Sequence, residues 1–368
     1  MQKEGSLLSD YFRFLHGNRQ GSDYNETQKY KGVDPMKKIR IAQIGVGHDH
    51  AAEILDSLRK QTDLFEVVGY AVPGREKTHF PRSLAHCEGL PELTVEEILQ
   101  DPTIEAVSVE TEELRLTEYA LMAARHGKHI HMDKPGSPDL DGFSALVEAA
   151  RQSGKVFHLG YMYRYNPEIQ AAMEQVRSGA LGEIFAVEAQ MNCLHIPQKR
   201  QWLQDFPGGM LFFLGCHLID LIYGIQGKPQ QILPLSCCTG LDGVTAQDYG
   251  MAVFVYPNGV SFAKSCAAER GGFARRQLVI CGSKGTIELK PLEMYATDPP
   301  KSELYTDVVT TTGSNWEDRG IRRKSIVYDR YDTMMASFAA MCRGEKQNPW
   351  DYDYEWNLFE VIMKACGV

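Results

Sequence analysis

The run Lys38-Ile39-Arg40-Ile41-Ala42-Gln43-Ile44-Gly45-Val46-Gly47-His48-Asp49-His50-Ala51 decides the fold, together with the helical pattern of Ile54, Leu55 and Leu58 that follows it. Residues 39–46 read as a buried parallel strand. A glycine turn comes next, then a helix through residues 50–59. Strand, turn and helix in that order cradle a nucleotide phosphate: one glycine lets the chain reverse, and a second lets the backbone approach the pyrophosphate. The N–H groups and dipole of the helix N-terminus then face the negative charge. Gly45 and Gly47 supply this pair, and His48 and Asp49 complete the turn. His50 stands where a third glycine is usual.

Working outward, residues 39–161 alternate strand-like and helical runs. The strands are expected at 39–46, 65–72, 106–111, 129–133 and 156–160, with helices around 50–59, 95–100, 117–126 and 140–153. This spacing implies βαβ units and a parallel sheet covered on both faces. Ligands of such sheets bind beyond the carboxyl ends of the strands, so the residues just after each strand carry the information.

After residues 65–72, a carboxylate normally accepts hydrogen bonds from the adenosine ribose. Here Ala71-Val72-Pro73-Gly74-Arg75 has none before Glu76. Arg75 is a candidate for a 2′-phosphate or, equally, a solvated turn residue, so NAD and NADP both stay open. After 106–111, Thr111 falls at the sheet edge, and Glu112 and Glu113 read as dipole-favoured residues at a helix start. After 129–133, Asp133-Lys134-Pro135 places an ammonium in the cleft where substrate and nicotinamide meet, a position suited to proton exchange with a hydroxyl. His129 and His131 read as packing histidines. Beyond 156–160, Gly160-Tyr161-Met162-Tyr163-Arg164-Tyr165-Asn166-Pro167 reads as a crossover into a helix begun at Pro167. Tyr163 and Arg164 are candidate cleft residues there, with Arg164 alternatively an exposed tie between domains.

Residues 184–193, 231–239, 249–256, 260–267, 277–281 and 286–289 are strand-like runs with short turns, which suggests a mostly antiparallel sheet. An apolar helix over 210–223 interrupts them after Pro207-Gly208-Gly209. Its His217 and Asp220, three residues apart, are expected to share a face toward the cleft. Residues 329–343 read as a helix, and the tail from 351 as another that packs back.

Charge and composition narrow the function. A formal net charge of -9 argues against nucleic acid or an anionic membrane as the main partner. No apolar run approaches the roughly 20 residues that span a bilayer, and the N-terminus lacks a signal-peptide core. The nine scattered cysteines, with no Cys-x-x-Cys pair, fit reduced thiols in a cytoplasm and offer no zinc spacing, so no metal site is expected. Residues 1–35 are polar, with an amphipathic patch (Leu7-Leu8, Tyr11-Phe12, Phe14-Leu15), and Met36 reads like a natural start after an extension.

The order of glycine turn, Asp-Lys-Pro, Gly-Tyr-Met-Tyr-Arg-Tyr-Asn-Pro and Gly-Gly-Met…Cys-His-Leu-Ile-Asp resembles the glucose–fructose oxidoreductase / inositol dehydrogenase / rhizopine-catabolism (Gfo/Idh/MocA) family, from about residue 38 to the C-terminus. The resemblance implies an α/β protein in two parts: a Rossmann-type dinucleotide-binding domain (36–161) and an α/β domain on a large, mostly antiparallel open sheet (162–350). The C-terminal helix (351–368) packs back. It also implies Lys134 as the catalytic lysine, His217 as the helix histidine of proton transfer or substrate binding, and Gly45 and Gly47 as the phosphate loop. NAD or NADP is the implied cofactor, a sugar, cyclitol or related polyol the implied substrate class, and a homodimer or homotetramer the implied assembly. His195, Tyr163, Arg164 and Asp220 are substrate-side candidates. Departures are Phe213 in place of an aspartate four residues before His217, Val72 in place of the ribose carboxylate, and His50. Two other readings compete with a dehydrogenase: an NAD-dependent glycosidase that oxidises transiently and eliminates, and a cofactor-sensing binding protein without catalysis.

Overall fold

A computed structural model describes residues 37–298 and 302–368; the amphipathic patch expected at 7–15 lies outside them. The first part of the chain builds strands β1 (Ile39–Ile44) and β2 (Phe65–Ala71), with helix α1 (Ala51–Lys60) between them. Two short helices, α2 (Glu76–His79) and α3 (Pro81–Ala85), and then α4 (Val95–Gln100) lead to β3 (Ala106–Val109). Helix α5 (Leu116–Arg125), β4 (His129–Met132), α6 (Leu140–Ser153) and β5 (Phe157–Leu159) complete the alternation. The five strands form an all-parallel sheet in the order β2-β1-β3-β4-β5. The direction of winding reverses between β1 and β3, which opens a crevice at their carboxyl ends.

Sequence explains these elements locally. Ile41, Ala42 and Ile44 are fully buried and pack with Ile54 of α1. A buried aliphatic side chain of this kind contributes about 1.5–3 kcal/mol. Thr94 and Glu97 cap α4 reciprocally, a capping box. Asp139 caps α6, and Gly154 ends it in the left-handed conformation that only glycine adopts freely (φ 64°).

After helix α7 (Pro167–Arg177), capped by Asn166, comes the long strand β6 (Ile184–Asn192) and a short helix α8 (Pro197–Trp202). The apolar helix expected over 210–223 is two segments: a π-helical turn, Leu211–Gly215, runs into α9 (Cys216–Gln226). Strands β7 (Gln231–Pro234), β8 (Tyr249–Tyr256), β9 (Gly259–Cys266), β10 (Gln277–Gly282) and β11 (Gly285–Leu289) follow. Then come β12 (Met294–Tyr295), β13 (Glu303–Tyr305), β14 (Asp307–Thr311), β15 (Ile321–Lys324) and β16 (Tyr328–Asp329). Eight of these make one sheet in the order β15-β14-β11-β10-β6-β9-β8-β7, while β12, β13 and β16 make a small second one. All pairs in the large sheet are antiparallel except β6 with β9.

The chain closes with α10 (Asp332–Cys342) and α11 (Tyr352–Ala365). Phe359 of α11 stacks on Phe143 of α6 at 3.9 Å, and Ser57 of α1 donates to Asp332 of α10 at 2.9 Å. Residues 38–368 thereby form one compact unit. No helix among the described residues is long and apolar enough to cross a membrane.

Candidate active site

The glycine turn follows β1 at the winding reversal. Gly45 has φ 96°, and a Cβ there would lie 2.5 Å from the backbone of Thr111. Gly47 is equally tight: its Cβ would lie 2.7 Å from the Glu112 amide nitrogen. Both glycines thus let the turn press against the segment after β3, and Thr111 is the buried floor of that contact.

The first carboxylate after β2 comes one short turn later. Glu76, 1% exposed at the start of α2, accepts the Val46 N–H at 2.7 Å with one oxygen and the Glu112 N–H at 2.9 Å with the other. Burial pushes this carboxyl upward, and the backbone donors oppose the shift. Arg75, by contrast, lies exposed and forks onto Glu112. A cavity of about 300 Å³ opens beside the turn, lined by Gly47, Asp49, Arg75, Glu112, Lys199 and Trp202 among others. Asp49 faces Lys199 of α8 at 3.1 Å, and the same ammonium sits 3.8 Å above the Trp202 ring. This ion pair spans from the glycine turn to the second part of the chain.

His48 and His50 gather around Asp133. His48 is 1% exposed, with Nδ1 3.2 Å from Asp133 Oδ2, and His50 Nδ1 lies 3.0 Å from the same oxygen. Burial lowers His48 to about 4. These two histidines and Asp133 form a His-x-His-plus-carboxylate cluster, whereas no metal-ligand set was expected from the sequence. Glu110 and Glu113, which close in from the β3 end, are both buried. Desolvation holds the Glu113 carboxyl up at about 8. Glu113, expected at a helix start, opens a 3-10 turn with its side chain buried.

Lys134 is 2% exposed, and its Nζ donates to the Phe213 carbonyl at 3.1 Å. It directly follows Asp133 at the carboxyl end of β4, and the Lys134–Pro135 bond is cis. His217 is buried with both ring nitrogens lacking hydrogen-bond partners. Its ring lies 6.4 Å from His50, 5.9 Å from Tyr161 and 5.0 Å from Tyr163. Burial first, and then the Lys134 cation, hold His217 well below the usual histidine range, so the ring is neutral. Asn192, at the end of β6, is fully buried with its amide oxygen and nitrogen both unpaired. Tyr163 donates to Glu293, which Arg276 and Arg330 hold by ion pairs of 2.6 and 2.8 Å. His195 lies on the same side, with its ring 6.4 Å from Phe213.

Arg164 and Asp220 are placed differently from the expectation. Arg164 is 6% exposed, not a surface tie, and its guanidinium bonds Asp220 at 2.7 Å and Glu355 at 2.6 Å. It is sandwiched between the rings of Tyr161 and Trp350. The Tyr161 ring contacts both this triad and His217, so the acid and the histidine serve different neighbourhoods. Glu76 and Glu293 were not singled out in sequence as cleft groups. Glu76 had a readable signal, since it is the first carboxylate after β2.

A glycine turn at the winding reversal of a parallel sheet, a buried carboxylate beside it and a lysine at the β4 edge define a dinucleotide-dependent oxidoreductase. The comparisons agree. Residues 39–161 match the oxidoreductase family with an NAD-binding Rossmann fold, and residues 169–288 match the GFO/IDH/MocA C-terminal domain. The chain belongs to the Gfo/Idh/MocA family. It is 25% identical over 271 residues to the uncharacterized oxidoreductase ORF334 of Rhizobium meliloti, covering 72% of this chain and 76% of that one. It is 26% identical over 199 residues to the 1,5-anhydro-D-fructose reductase of Ensifer adhaerens, covering 53% and 59%. In fold it is similar to a 3-ketoreductase from Actinomadura kijaniata solved with NADP and TDP-benzene (TM-score 0.72, 18% identity, covering 89% of this chain and 96% of that one). The protein is therefore an oxidoreductase whose cofactor is NAD or NADP.

Proposed function

We propose that the enzyme interconverts a hydroxyl and a ketone on a sugar, cyclitol or related polyol, with Lys134 as the proton-transfer group and His217 as the residue that orients the reacting hydroxyl. The observation that carries this reading is the pairing of Lys134 with a neutral, fully unpartnered His217 in one buried site. Buried polar atoms in folded proteins are nearly always bonded. Both nitrogens of His217 and both amide atoms of Asn192 are thus ready for a ligand rich in hydroxyls. An apolar substrate would leave them unsatisfied at a cost of about 1–3 kcal/mol each. The reduction of a sugar ketone by the Ensifer relative named above supports the substrate class.

The residues fit a dinucleotide. The glycine turn brings the backbone close at the N-terminus of α1, where the helix dipole favours a pyrophosphate. When bound, the nicotinamide supplies the hydride acceptor or donor. The chain's own contributions are separate from that chemistry. Lys134 exchanges the hydroxyl proton at Nζ, and the Phe213 carbonyl keeps that atom aimed across the cleft. His217 holds the hydroxyl, and the Lys199–Asp49 pair closes the entrance against water.

Glu76 favours NAD over NADP in this reading. Its carboxylate holds the turn amide of Val46, and negative charge at that place opposes a 2′-phosphate. Arg75, tied to Glu112, is not free to meet that phosphate.

The test is titration of the purified protein with NADH and NADPH by cofactor fluorescence, followed by a sugar and polyol panel with each oxidised cofactor. Reduction of cofactor by one panel member, abolished in Lys134→Ala with NADH binding retained, is the expected result. Tight NADH binding with an entirely silent panel would overturn the reading.

A further inference from the structure

We propose that His48, His50 and Asp133, backed by Glu110, form a binding site for a divalent first-row transition metal that pins the glycine turn to the lysine-bearing strand end. The three potential ligand atoms lie within 4.8 Å of one another. Nδ1 of each histidine faces the same carboxylate oxygen, at 3.2 and 3.0 Å. Nitrogen and oxygen ligands at about 2.0–2.2 Å from a tetrahedral ion stand about 3.3–3.5 Å apart, so a few tenths of an ångström of outward movement admits the ion.

A second observation stands apart from the triad. Glu110 is 0% exposed, and neither carboxylate oxygen has a well-formed hydrogen bond. Among the described residues its ion-pair neighbours are histidines only, with Oε2 4.0 Å from His48 Nδ1 and Oε1 3.6 Å from His131 Nε2. Buried polar atoms in folded proteins are nearly always bonded, and an ion beside Asp133 gives these oxygens a partner. Two imidazoles with one or two carboxylates suit Zn²⁺, Co²⁺, Mn²⁺ or Fe²⁺ and do not suit Mg²⁺ or Ca²⁺, which take all-oxygen shells. The position has a consequence for the enzyme, because Asp133 directly precedes Lys134 in the chain. The metal fixes the carboxyl end of β4 against the turn after β1.

The experiment uses the full chain without a histidine tag, stripped with a chelator and titrated with CoCl₂ and then ZnCl₂. Visible d–d absorption of bound Co²⁺, stoichiometric Zn²⁺ retained after gel filtration, and a rise in melting temperature are expected. His50→Gln, whose ring is partly exposed, and Asp133→Asn are each expected to weaken Zn²⁺ at least about tenfold. His86→Gln, remote and at the surface, is expected to bind as the parent does. Failure of the parent to bind Co²⁺ or Zn²⁺ at tens of micromolar, or binding unchanged in His50→Gln, overturns the proposal. Should Asp133→Asn not fold, the cobalt spectrum of the parent and the His50→Gln titration decide. NADH binding, read separately by fluorescence, keeps this result distinct from the dehydrogenase reading.

Discussion

The ammonium of Lys134 donates to the main-chain carbonyl of Phe213 at 3.1 Å, and the Phe213 ring lies 5.1 Å from the same nitrogen. The residue that stands where many relatives carry an aspartate therefore still contacts the lysine, through its backbone. The π-helical turn over Leu211–Gly215 makes this possible, because a widened turn leaves carbonyls off the regular i→i+4 pattern.

Lys134→Ala removes the only group that the proposed reaction uses to move a proton. Turnover should fall by about 10²–10⁴-fold, the usual worth of a positioned acid or base. NADH affinity should change little. Steady-state kinetics beside a fluorescence titration separates the two effects, and retention of most of the turnover would remove Lys134 from the mechanism.

Glu76→Gln leaves a single acceptor oxygen for the two amides that Glu76 now holds. NADH should bind roughly tenfold more weakly, since a hydrogen bond to a charged group is worth about 1.5–3 kcal/mol. The preference over NADPH should narrow. A parent enzyme that prefers NADPH would contradict the role assigned to this carboxylate.

How much of this could be read from sequence depends on whether a feature is local. Helices Val95–Gln100 and Leu140–Ser153 fall where the sequence pattern puts them, because that signal lies within one segment. The alternation that implies a parallel sheet is also local. The face shared by His217 and Asp220 was misread because three-residue spacing on one helix says nothing of the neighbours. Arg164 takes the acid, while the histidine packs against Tyr161 and Tyr163. The His48–His50–Asp133 cluster was not legible at all. Its members leave two different strand ends, and only the order β1-β3-β4 within the sheet brings them together.

Arg164→Ala tests whether this arginine touches substrate. It strands Asp220 and Glu355, both buried, and should cost roughly 3–5 kcal/mol of stability. The Michaelis constant of whatever protein remains folded should be nearly unchanged. Denaturant melts and KM measured on the same preparation distinguish the two roles, and a large KM rise with normal stability would restore Arg164 to the binding site.

His129 governs part of the acid limb of stability. Burial, and next the Lys155 cation, lower it from 6.5 to about 4, and its Nδ1 accepts the Val156 N–H at 3.1 Å. Between these two values the unfolded chain binds a proton that the fold does not, so stability rises with pH across the window. The contribution is fully present above pH 6.5 and is lost as pH falls toward 4. His129→Gln should flatten that slope in urea midpoints measured from pH 7 to pH 4; a slope equal to the parent's would rule out this assignment.

Lys199→Met removes the bridge to Asp49 while keeping an apolar stem over Trp202. Both partners are partly exposed, so the pair is worth at most about 1 kcal/mol. Cofactor should enter and leave about two- to fivefold faster in stopped flow. Rates equal to the parent's would show that the bridge does not gate entry.

The single parallel pairing of the large sheet, β6 with β9, bears on how the enzyme is made. Glu188 sits opposite Phe262, and everything between them, α8, the π turn, His217 and β8 included, must be threaded before that register can close. Such distant pairings are slow to form, since chain entropy is lost before the contact compensates for it. The histidine of the active site is therefore carried on the crossover itself. A nascent chain halted before β9 would hold Lys134 on a finished parallel sheet and yet have no β6–β9 register to anchor His217, so catalytic competence arrives late in synthesis, after the nucleotide-binding half has already folded.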